Sequence, residues 1–222
     1  IDSLPKSQPF FLTYLPVAGH HPYATPERGP FAADTEFGNY LNALHYGDRS
    51  LGVLLEGLHK RGLDERTLFI LFGDHGEAFR QHDGNSGHSM FLYDENVRVP
   101  FIIAAPGLLN SQTRVRTTAS LIDTTATILD LLGLPIPQGL DGLSLLNSDN
   151  RMALFFTDYS LSLLGLYDAC WKYIYEIDSG HSRLYDVCRD SEEVNNVSET
   201  ETRRAAVHRQ RLLRWISTQT LN

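Results

Sequence analysis

The stretch from Thr67 to Glu77 constrains the fold most strongly, because a short apolar strand runs directly into Gly73-Asp74-His75-Gly76-Glu77. A run rich in Phe, Leu and Ile indicates a buried, parallel strand. Open α/β sheets carry their chemistry at the carboxyl ends of such strands. There an Asp and a His can bind one divalent cation, through a hard oxygen and a neutral imidazole. The sequence therefore predicts a metal site that includes Asp74 and His75.

The residues before this stretch complete a strand, helix, strand unit. An aromatic and apolar run at residues 9–17 predicts a core strand, and apolar residues at three- and four-residue steps predict a helix over residues 35–60. Such units are right-handed and place their two strands parallel. His20 follows the first strand as Asp74 follows the second. We therefore expect His20 to approach Asp74 and His75 at one edge of the sheet.

A polar, glycine-rich segment over residues 78–95 is predicted to return to the same edge. Ordering such a segment costs entropy while burying little surface, which is typical of functional loops. Its candidate catalytic residues are His82 and His88, and His88, in Gly-His-Ser where the chain turns back, is the better candidate. A strand at residues 101–105 and a helix at residues 117–132 follow.

The pattern changes after a loop rich in proline and glycine at residues 135–142. Short alternating stretches separated by turns predict a small antiparallel sheet. Its predicted strands lie at residues 152–157, 163–167, 171–176 and 182–187, and a helix is predicted at residues 199–218. The sequence thus predicts an α/β domain over residues 1–148 and a small antiparallel subdomain over residues 149–222.

Charge and cysteine content exclude some classes of protein and leave one question open. A net charge of −8, with no basic block, argues against non-specific binding to nucleic acid or to anionic membranes. No apolar run reaches the length of about 18 residues that a membrane-spanning helix needs. Cys170 and Cys188 lack metal-binding spacing, so a single disulfide and two buried thiols are both open.

These motifs, in their order along the chain, resemble the C-terminal half of a sulfatase, a family within the alkaline-phosphatase-like superfamily of metal-dependent hydrolases and transferases. The resemblance covers nearly the whole chain, which makes it more specific than any single motif. The segments that carry it are His20-His21-Pro22-Tyr23, Lys60-Arg61-Gly62-Leu63, Gly73-Asp74-His75-Gly76-Glu77, Gly87-His88 with Leu92-Tyr93-Asp94-Glu95, Arg98-Val99-Pro100, Ile122-Asp123-Thr124, Gly139-Leu140-Asp141-Gly142-Leu143-Ser144-Leu145, Trp171-Lys172-Tyr173 and Leu184-Tyr185-Asp186.

The resemblance implies an α/β/α sandwich around a mostly parallel central sheet, followed by a small antiparallel C-terminal subdomain. It implies that Asp74 and His75 bind a divalent metal, calcium first and otherwise manganese, zinc or magnesium. It also implies that His20 and His88 contact the sulfate or phosphate group or protonate the leaving oxygen. A tetrahedral anionic ester needs such cationic groups and a proton donor for the departing alkoxide. The family further favours an exported or membrane-anchored parent protein.

One part of the family pattern is missing from the chain. Sulfatases carry further acidic metal ligands and a nucleophile in a motif of Cys or Ser with Pro and Arg, and transferase branches use a Thr. Neither Cys170-Trp171-Lys172 nor Cys188-Arg189-Asp190 resembles that motif, no Asp-Asp pair occurs, and the first residue is Ile1. We expect a fragment that lacks the nucleophile and the N-terminal half, and that is inactive alone.

Two alternatives to a sulfuric-ester hydrolase stay open. The first is a phosphoethanolamine or phosphoglycerol transferase, or a phosphodiester or phosphonate hydrolase, because Asp-His-Gly-Glu occurs in those branches too. The second is a non-catalytic half-domain that forms homo-oligomers through an uncovered sheet edge, since unpaired edges pair readily. The run from Leu92 to Pro100 and the Trp-Lys-Tyr and Leu-Tyr-Asp tail favour the sulfatase.

Overall fold

The computed structural model describes residues 1–3, 5, 8–109, 111–147 and 151–219. It has two compact units, one of Ile1–Leu68 with Ala105–Leu108 and the other of Phe69–Ala104 with Leu109–Asn222. In chain order its elements are α1 (Glu36–His59), a 3₁₀ turn (Asp64–Arg66), β1 (Phe69–Phe72), β2 (Ala78–Phe79), β3 (Ser86–Gly87), α2 (Asp94–Val97), β4 (Phe101–Ala104), α3 (Asp123–Leu131), β5 (Met152–Thr157), β6 (Leu163–Asp168), β7 (Trp171–Glu176), β8 (Ser182–Asp186) and α4 (Thr202–Gln219). The predicted mixed α/β class is confirmed.

Helix α1 is the main element of the first unit and lies where the apolar periodicity predicts it. Thr35 caps its N-terminus, because the Thr35 Oγ1 accepts a hydrogen bond from the Gly38 N–H at 3.0 Å. After the helix ends, Gly62 takes a positive φ of 61°, a conformation that glycine adopts without steric cost. The helix buries Ala43 and Leu58. No helix among the described residues is both long and apolar enough to cross a bilayer.

The predicted strand at residues 9–17 is wrong. The structure shows no regular secondary structure there, and Phe11, Leu15 and Val17 are 84%, 77% and 80% exposed. A strand needs a partner for its backbone N–H and C=O groups, and none of the described strands pairs with this segment. The aromatic composition misled the prediction, because β-propensity measures fit to a half-buried sheet rather than an intrinsic backbone preference.

Strand β1 opens the second unit and pairs with β4. The pairing is antiparallel, with Phe69 opposite Ala104 and Phe72 opposite Phe101, and the Phe72 and Phe101 rings stack at 5.7 Å. The expected mostly parallel arrangement is therefore not found, since every pairing among the described strands is antiparallel. The physical reason is that the chain after β1 folds back at the same end, whereas a parallel neighbour needs a crossover to the other end.

The small antiparallel sheet is confirmed, with the strand order β5-β6-β7-β8. Side chains alternate between its two faces, as the period of two residues requires. One face packs on α4 through a cluster of Leu164, Leu166, Tyr173, Tyr175, Leu184, Ala205 and Leu212. The other face buries Leu163, Ile174 and Tyr185 with Leu92 from the segment after β1. The sheet is thus the core on which that segment rests.

A disulfide joins Cys170 to Cys188 and settles the question that their spacing left open. The bond links the residue before β7 to a residue just after β8, across a sequence separation of 18. No free cysteine occurs in the part of the chain that the structure describes. The predicted domain division between residues 148 and 149 falls outside the described residues and stays a prediction.

Candidate active site

Two arms of the second unit carry three of the four predicted site residues, Asp74, His75 and His88. The first arm, residues 73–77, follows β1. It is linked to the residue before β4, because the Gly73 N–H donates to the Pro100 carbonyl at 3.3 Å. The second arm, residues 87–89, begins at Gly87, the last residue of β3. Asp74 and His75 lie on the first arm and His88 on the second. The fold therefore brings two polar arms to one end of the β1–β4 pair.

The structure places His75 and His88 in direct contact. Their imidazole rings stack with centroids 3.9 Å apart and an interplanar angle of 26°. The Oε2 of Glu77 lies 2.8 Å from the Nδ1 of His88. One ligand atom from each of these three residues falls within 4.8 Å of the other two. We refer to His75, Glu77 and His88 as the histidine pair with its carboxylate.

The hydrogen bonds of the two imidazoles define which nitrogen carries the proton. His75 Nδ1 lies 2.8 Å from the Gly76 carbonyl oxygen, and an oxygen acceptor at that distance requires an Nδ1–H donor. The same assignment holds for His88 Nδ1 against the Glu77 carboxylate. Each neutral ring then keeps the Nε2 lone pair for a metal or a proton.

Asp74 fits a shared metal site with His75. The Asp74 Oδ2 lies 3.8 Å from the His75 Nε2, and its Oδ1 accepts a hydrogen bond from the His75 N–H at 3.1 Å. Two donors that each lie about 2.2 Å from one ion can be at most about 4.4 Å apart. The observed separation meets that condition, and a carboxylate oxygen with an imidazole nitrogen is an ordinary donor set for divalent cations.

His20 lies in the first unit, in the turn that follows residues 9–17. Its side chain is exposed, and its Nδ1 lies 2.8 Å from the His21 carbonyl oxygen. The Nδ1 therefore carries the proton in the neutral ring, as in His75 and His88. The approach of His20 to Asp74 and His75 stays a prediction.

The ring of His82, the weaker candidate of the glycine-rich segment, is in contact with other protein groups on both nitrogens and on one face. Its Nδ1 lies 2.7 Å from the Glu95 Oε1 and its Nε2 lies 3.4 Å from the Glu193 carbonyl oxygen. Its ring stacks on Tyr93 with centroids 3.7 Å apart. Because both ring nitrogens already face protein oxygens, His82 holds the segment in place rather than presenting a nitrogen to a ligand.

A buried lysine anchors the segment to the sheet. Lys172 on β7 is 0% exposed, and its Nζ lies 2.9 Å from the Asp94 Oδ1 and 2.8 Å from the Glu193 Oε1. The Tyr167 hydroxyl donates to the same Asp94 oxygen at 2.6 Å. This cluster of Asp94, Glu193 and Lys172, with Tyr167, joins α2 to the centre of the sheet.

The two carboxylates of this cluster respond differently to burial. Burial alone raises the pKa of Asp94, but Lys172 and the Tyr167 hydroxyl outweigh it, so the pKa of Asp94 is lowered. Burial dominates at Glu193 and raises its pKa in spite of Lys172. Burial also raises the pKa of Tyr167, and its hydrogen bond to Asp94 adds to this effect. The charge of Lys172 thus offsets the cost of burial at Asp94, with help from Tyr167, but not at Glu193.

Glu77 and Lys172 belong to sequence motifs that do not indicate their partners. Glu77 ends the Asp-His-Gly-Glu run, and no spacing rule says that it turns toward His88, eleven residues on. The sequence does indicate that Lys172 needs partners, because it lies between Trp171 and Tyr173 in an apolar strand and a buried charge must be paired. The sequence gives no indication that these partners are Asp94 and Glu193.

Family models and curated proteins match the chain over most of its length. The Sulfatase family model matches residues 2–134, and the model for the C-terminal region of N-sulphoglucosamine sulphohydrolase matches residues 87–217. Arylsulfatase K of Bos taurus is 30% identical over 170 residues, a match that covers 68% of this chain and 31% of that protein. The chain thus spans about a third of the length of the curated relatives it matches.

Solved structures share the fold. A 2-O GAG sulfatase superposes with a TM-score of 0.71 at 22% identity, over 84% of this chain and 43% of that chain. A phosphonate monoester hydrolase of Agrobacterium radiobacter superposes with a TM-score of 0.65 at 24% identity, over 83% of this chain and 41% of that chain. At these identities the likeness describes the fold alone. Because a family model matches more than half of its residues, the chain belongs to the sulfatase family.

Proposed function

We propose that the intact protein of which this chain forms part is a metal-dependent hydrolase of sulfuric esters. The observation that carries the proposal is the histidine pair with its carboxylate, beside Asp74, in a member of the sulfatase family. In this proposal Asp74 and His75 are metal ligands, while His88 and His20 act on the sulfate group and on the leaving oxygen.

The metal would be held by Asp74 Oδ2 and His75 Nε2, with further ligands from outside this chain. When bound, a divalent cation supplies Lewis-acid stabilisation of charge on the sulfate oxygens. Calcium is our first choice, because carboxylate oxygens suit a hard cation. Manganese, zinc and magnesium are the alternatives, and an imidazole ligand favours manganese or zinc among them.

The chemistry proposed for His88 follows from its hydrogen bond to Glu77. The Glu77 Oε2 lies 2.8 Å from the His88 Nδ1 and accepts its proton in a hydrogen bond, which fixes the orientation of the ring and leaves Nε2 facing away from Glu77. A proton on Nε2 can then pass to the ester oxygen of the alcohol as its bond to sulfur breaks. His20, whose Nδ1 proton is held by the His21 carbonyl, would bring a second Nε2 to the sulfate group.

The chain alone is proposed to be inactive. Its two cysteines are joined to each other in a disulfide and neither lies in a motif with Pro and Arg. The nucleophile and the remaining acidic ligands would come from the N-terminal half of the protein. A disulfide is typical of proteins folded in an oxidising compartment, which supports the expectation of an exported parent.

Two alternatives keep their place beside the sulfatase. A phosphodiester or phosphonate hydrolase, or a phosphoethanolamine or phosphoglycerol transferase, would use the same histidines on a phosphoryl group. A self-associating half-domain would pair through an uncovered sheet edge, and the exposed apolar side chains of Phe11, Leu15 and Val17 would favour its association. Light scattering of the isolated chain would find dimers or larger species if it self-associates, and monomers if it does not.

The test of function compares two proteins on two substrates. The isolated chain and the full-length protein are assayed with an aryl sulfate and an aryl phosphodiester, with calcium, manganese, zinc or magnesium added. We expect turnover of the sulfate by the full-length protein alone, and a loss of at least about 100-fold in Asp74→Asn or His88→Ala. Preferential turnover of the phosphodiester would establish the first alternative, and turnover by the isolated chain would contradict the missing nucleophile.

A further inference from the structure

Asn96 is hydrogen-bonded to both arms that carry the histidine pair. Its main-chain carbonyl accepts a hydrogen bond from the Gly76 N–H at 2.8 Å, and Gly76 lies between His75 and Glu77. Its side-chain Nδ2 donates to the Gly87 carbonyl at 3.1 Å, and Gly87 directly precedes His88. Asn96 lies on α2 and is only 3% exposed.

A second buried amide fixes the orientation of Asn96. The Asn85 Nδ2 donates to the Asn96 Oδ1 at 2.8 Å, and the Asn96 Nδ2 donates in return to the Asn85 Oδ1 at 3.2 Å. The Asn85 Nδ2 also lies 2.7 Å from the Glu95 Oε1, which binds His82. Because the amide oxygen of Asn96 is already used by Asn85, its Nδ2 is the end that must face Gly87.

The backbone of the first arm lies in close contact with the backbone of α2 at Gly76. A Cβ added at Gly76 would lie 2.1 Å from the Glu95 carbonyl oxygen and 3.1 Å from the Asn96 carbonyl carbon. Only glycine at position 76 therefore allows the hydrogen bond to Asn96 without a shift of the first arm or of α2. Gly87 on the second arm has a positive φ of 75°, which also suits glycine. Both arms thus reach Asn96 through residues without side chains.

We propose that Asn96 is a positioning residue, which sets the distance between the His75 and His88 rings by holding their two arms at once. The proposal rests on the proposed function for its meaning, since it concerns the same site. Aspartate has the same shape but no amide donor, so it would lose the bond to Gly87 and place a second acceptor against Asn85. The first arm would keep its main-chain bond to α2, whereas the second arm would lose its bond to α2 and be held only by the pairing of Gly87 with Ala78, the contact of His88 with Glu77 and the hydrogen bond from the Thr157 hydroxyl to the Ser89 carbonyl.

The test uses the isolated chain with Asn96→Asp and a matched control, Asn42→Asp. Asn42 is a buried asparagine of the first unit that also makes two amide hydrogen bonds, accepting from the Phe31 N–H at 2.9 Å and donating to the Phe31 carbonyl at 3.1 Å. Both variants lose a buried amide donor, so both should unfold at a lower temperature. Only one of them touches the arms of the histidine pair.

The first readout is the nuclear Overhauser effect between the ring protons of His75 and His88, which needs neither metal nor turnover. We expect it in the wild-type chain and in Asn42→Asp, and we expect its loss in Asn96→Asp. The second readout is the affinity for Zn²⁺ alone, since the pair and Glu77 can present three ligand atoms. A drop of about 10-fold or more in Asn96→Asp, against less than about 3-fold in the control, is expected from outer-shell substitutions.

An unchanged ring contact in folded Asn96→Asp overturns the proposal. If that variant does not fold, Asn85→Ser removes the amide that orients Asn96 and should weaken the ring contact, and an unchanged contact there overturns the proposal equally. The outcome is separable from that of the functional test. Loss of the ring contact in a protein whose full-length form hydrolyses no sulfate ester would uphold the role of Asn96 and reject the sulfatase.

Discussion

The four-stranded sheet and the segment from residue 73 to residue 97 are ordered by different forces. The sheet is held by apolar side chains on both faces, such as Leu166, Tyr173 and Leu184. The segment forms only short elements, and its order depends on buried polar groups, above all Asn85, Asn96 and the cluster of Asp94, Glu193 and Lys172. Packing of apolar groups tolerates small changes, whereas a buried polar network fails when one member is lost.

The difference fits the work that each region is proposed to do. A site must hold His75 and His88 against their tendency to be solvated, and hydrogen bonds give the direction that apolar contacts lack. The sheet supplies rigidity, because Leu92 and Tyr93 of the segment pack on its face. Substitutions in the two regions should therefore differ in what they damage first.

The largest effect is expected for Lys172→Met, which breaks the link between the regions. Methionine fills much of the volume, but it leaves Glu193 as a buried carboxylate without a lysine partner and Asp94 with only the exposed Arg98, 3.5 Å from its Oδ2. Removing one partner of a buried ion pair costs about 3–5 kcal/mol of unfolding free energy. Urea unfolding measures this loss, and hydrogen exchange should show that residues 76–97 lose protection before the sheet does.

An exposed lysine provides the control for this substitution. Lys60 pairs with Glu56 at 2.6 Å on the surface of α1, and Lys60→Met should change the unfolding free energy by less than about 1 kcal/mol. Without Lys172 the pKa values of both buried carboxyls should rise, so the folded variant binds more protons than the unfolded one. Its stability should then increase as the pH falls toward 5, and a decrease would contradict the assigned role.

A smaller and more uniform effect is expected for Leu184→Ala in the sheet. Leu184 is fully buried against α4, and a truncation of this kind costs about 2–4 kcal/mol through lost burial and a cavity. Because the whole sheet depends on this core, hydrogen exchange should rise in the sheet and in residues 76–97 together. Loss of protection in the segment alone would show that the two regions are less distinct than we argue.

The sequence predicted the sheet well for the same physical reason. Alternation of apolar residues reports burial directly, so the ends of β5 to β8 were placed within one residue of those observed. Residues 9–17 have equally apolar composition, but no described partner strand, and the prediction there was wrong. Local pattern predicts an element only where tertiary partners complete it.

The candidate site was predictable in part. Asp74 and His75 stand out because they end an apolar strand, and His88 because it lies in a glycine-rich return, and the structure brings the two histidines together. The supports of the site could not be predicted, since Asn96, Asn85 and Glu193 look like ordinary polar residues. Their roles depend on which distant groups they meet, and a linear pattern does not carry that information.

The smallest effect concerns His208, a polar residue inside the apolar region. It is 2% exposed on α4, its ring lies 6.0 Å from that of Tyr173, and neither ring nitrogen has a hydrogen-bond partner among the described residues. Burial lowers the pKa of His208, with Arg211 and Arg204 adding to this effect and Asp168 opposing it. The folded state therefore keeps this ring neutral at pH values where the unfolded chain protonates it.

The sign of the pH dependence follows from this difference. Above a pH of about 6.5, the ordinary histidine value, neither state is protonated and the group has no effect. Below it the unfolded chain binds the extra proton. The free energy of unfolding therefore decreases as the pH is lowered, by at most about 1.4 kcal/mol per pH unit, until the pKa of His208 in the folded state is reached. Urea unfolding of His208→Leu at pH 5 and pH 8 should show a smaller pH dependence than the wild-type chain. An equal pH dependence of stability in the two proteins would contradict the lowered pKa of His208. The ring would then have a hydrogen-bond partner in the folded protein, and the sheet would contain a buried polar contact like those of residues 73–97.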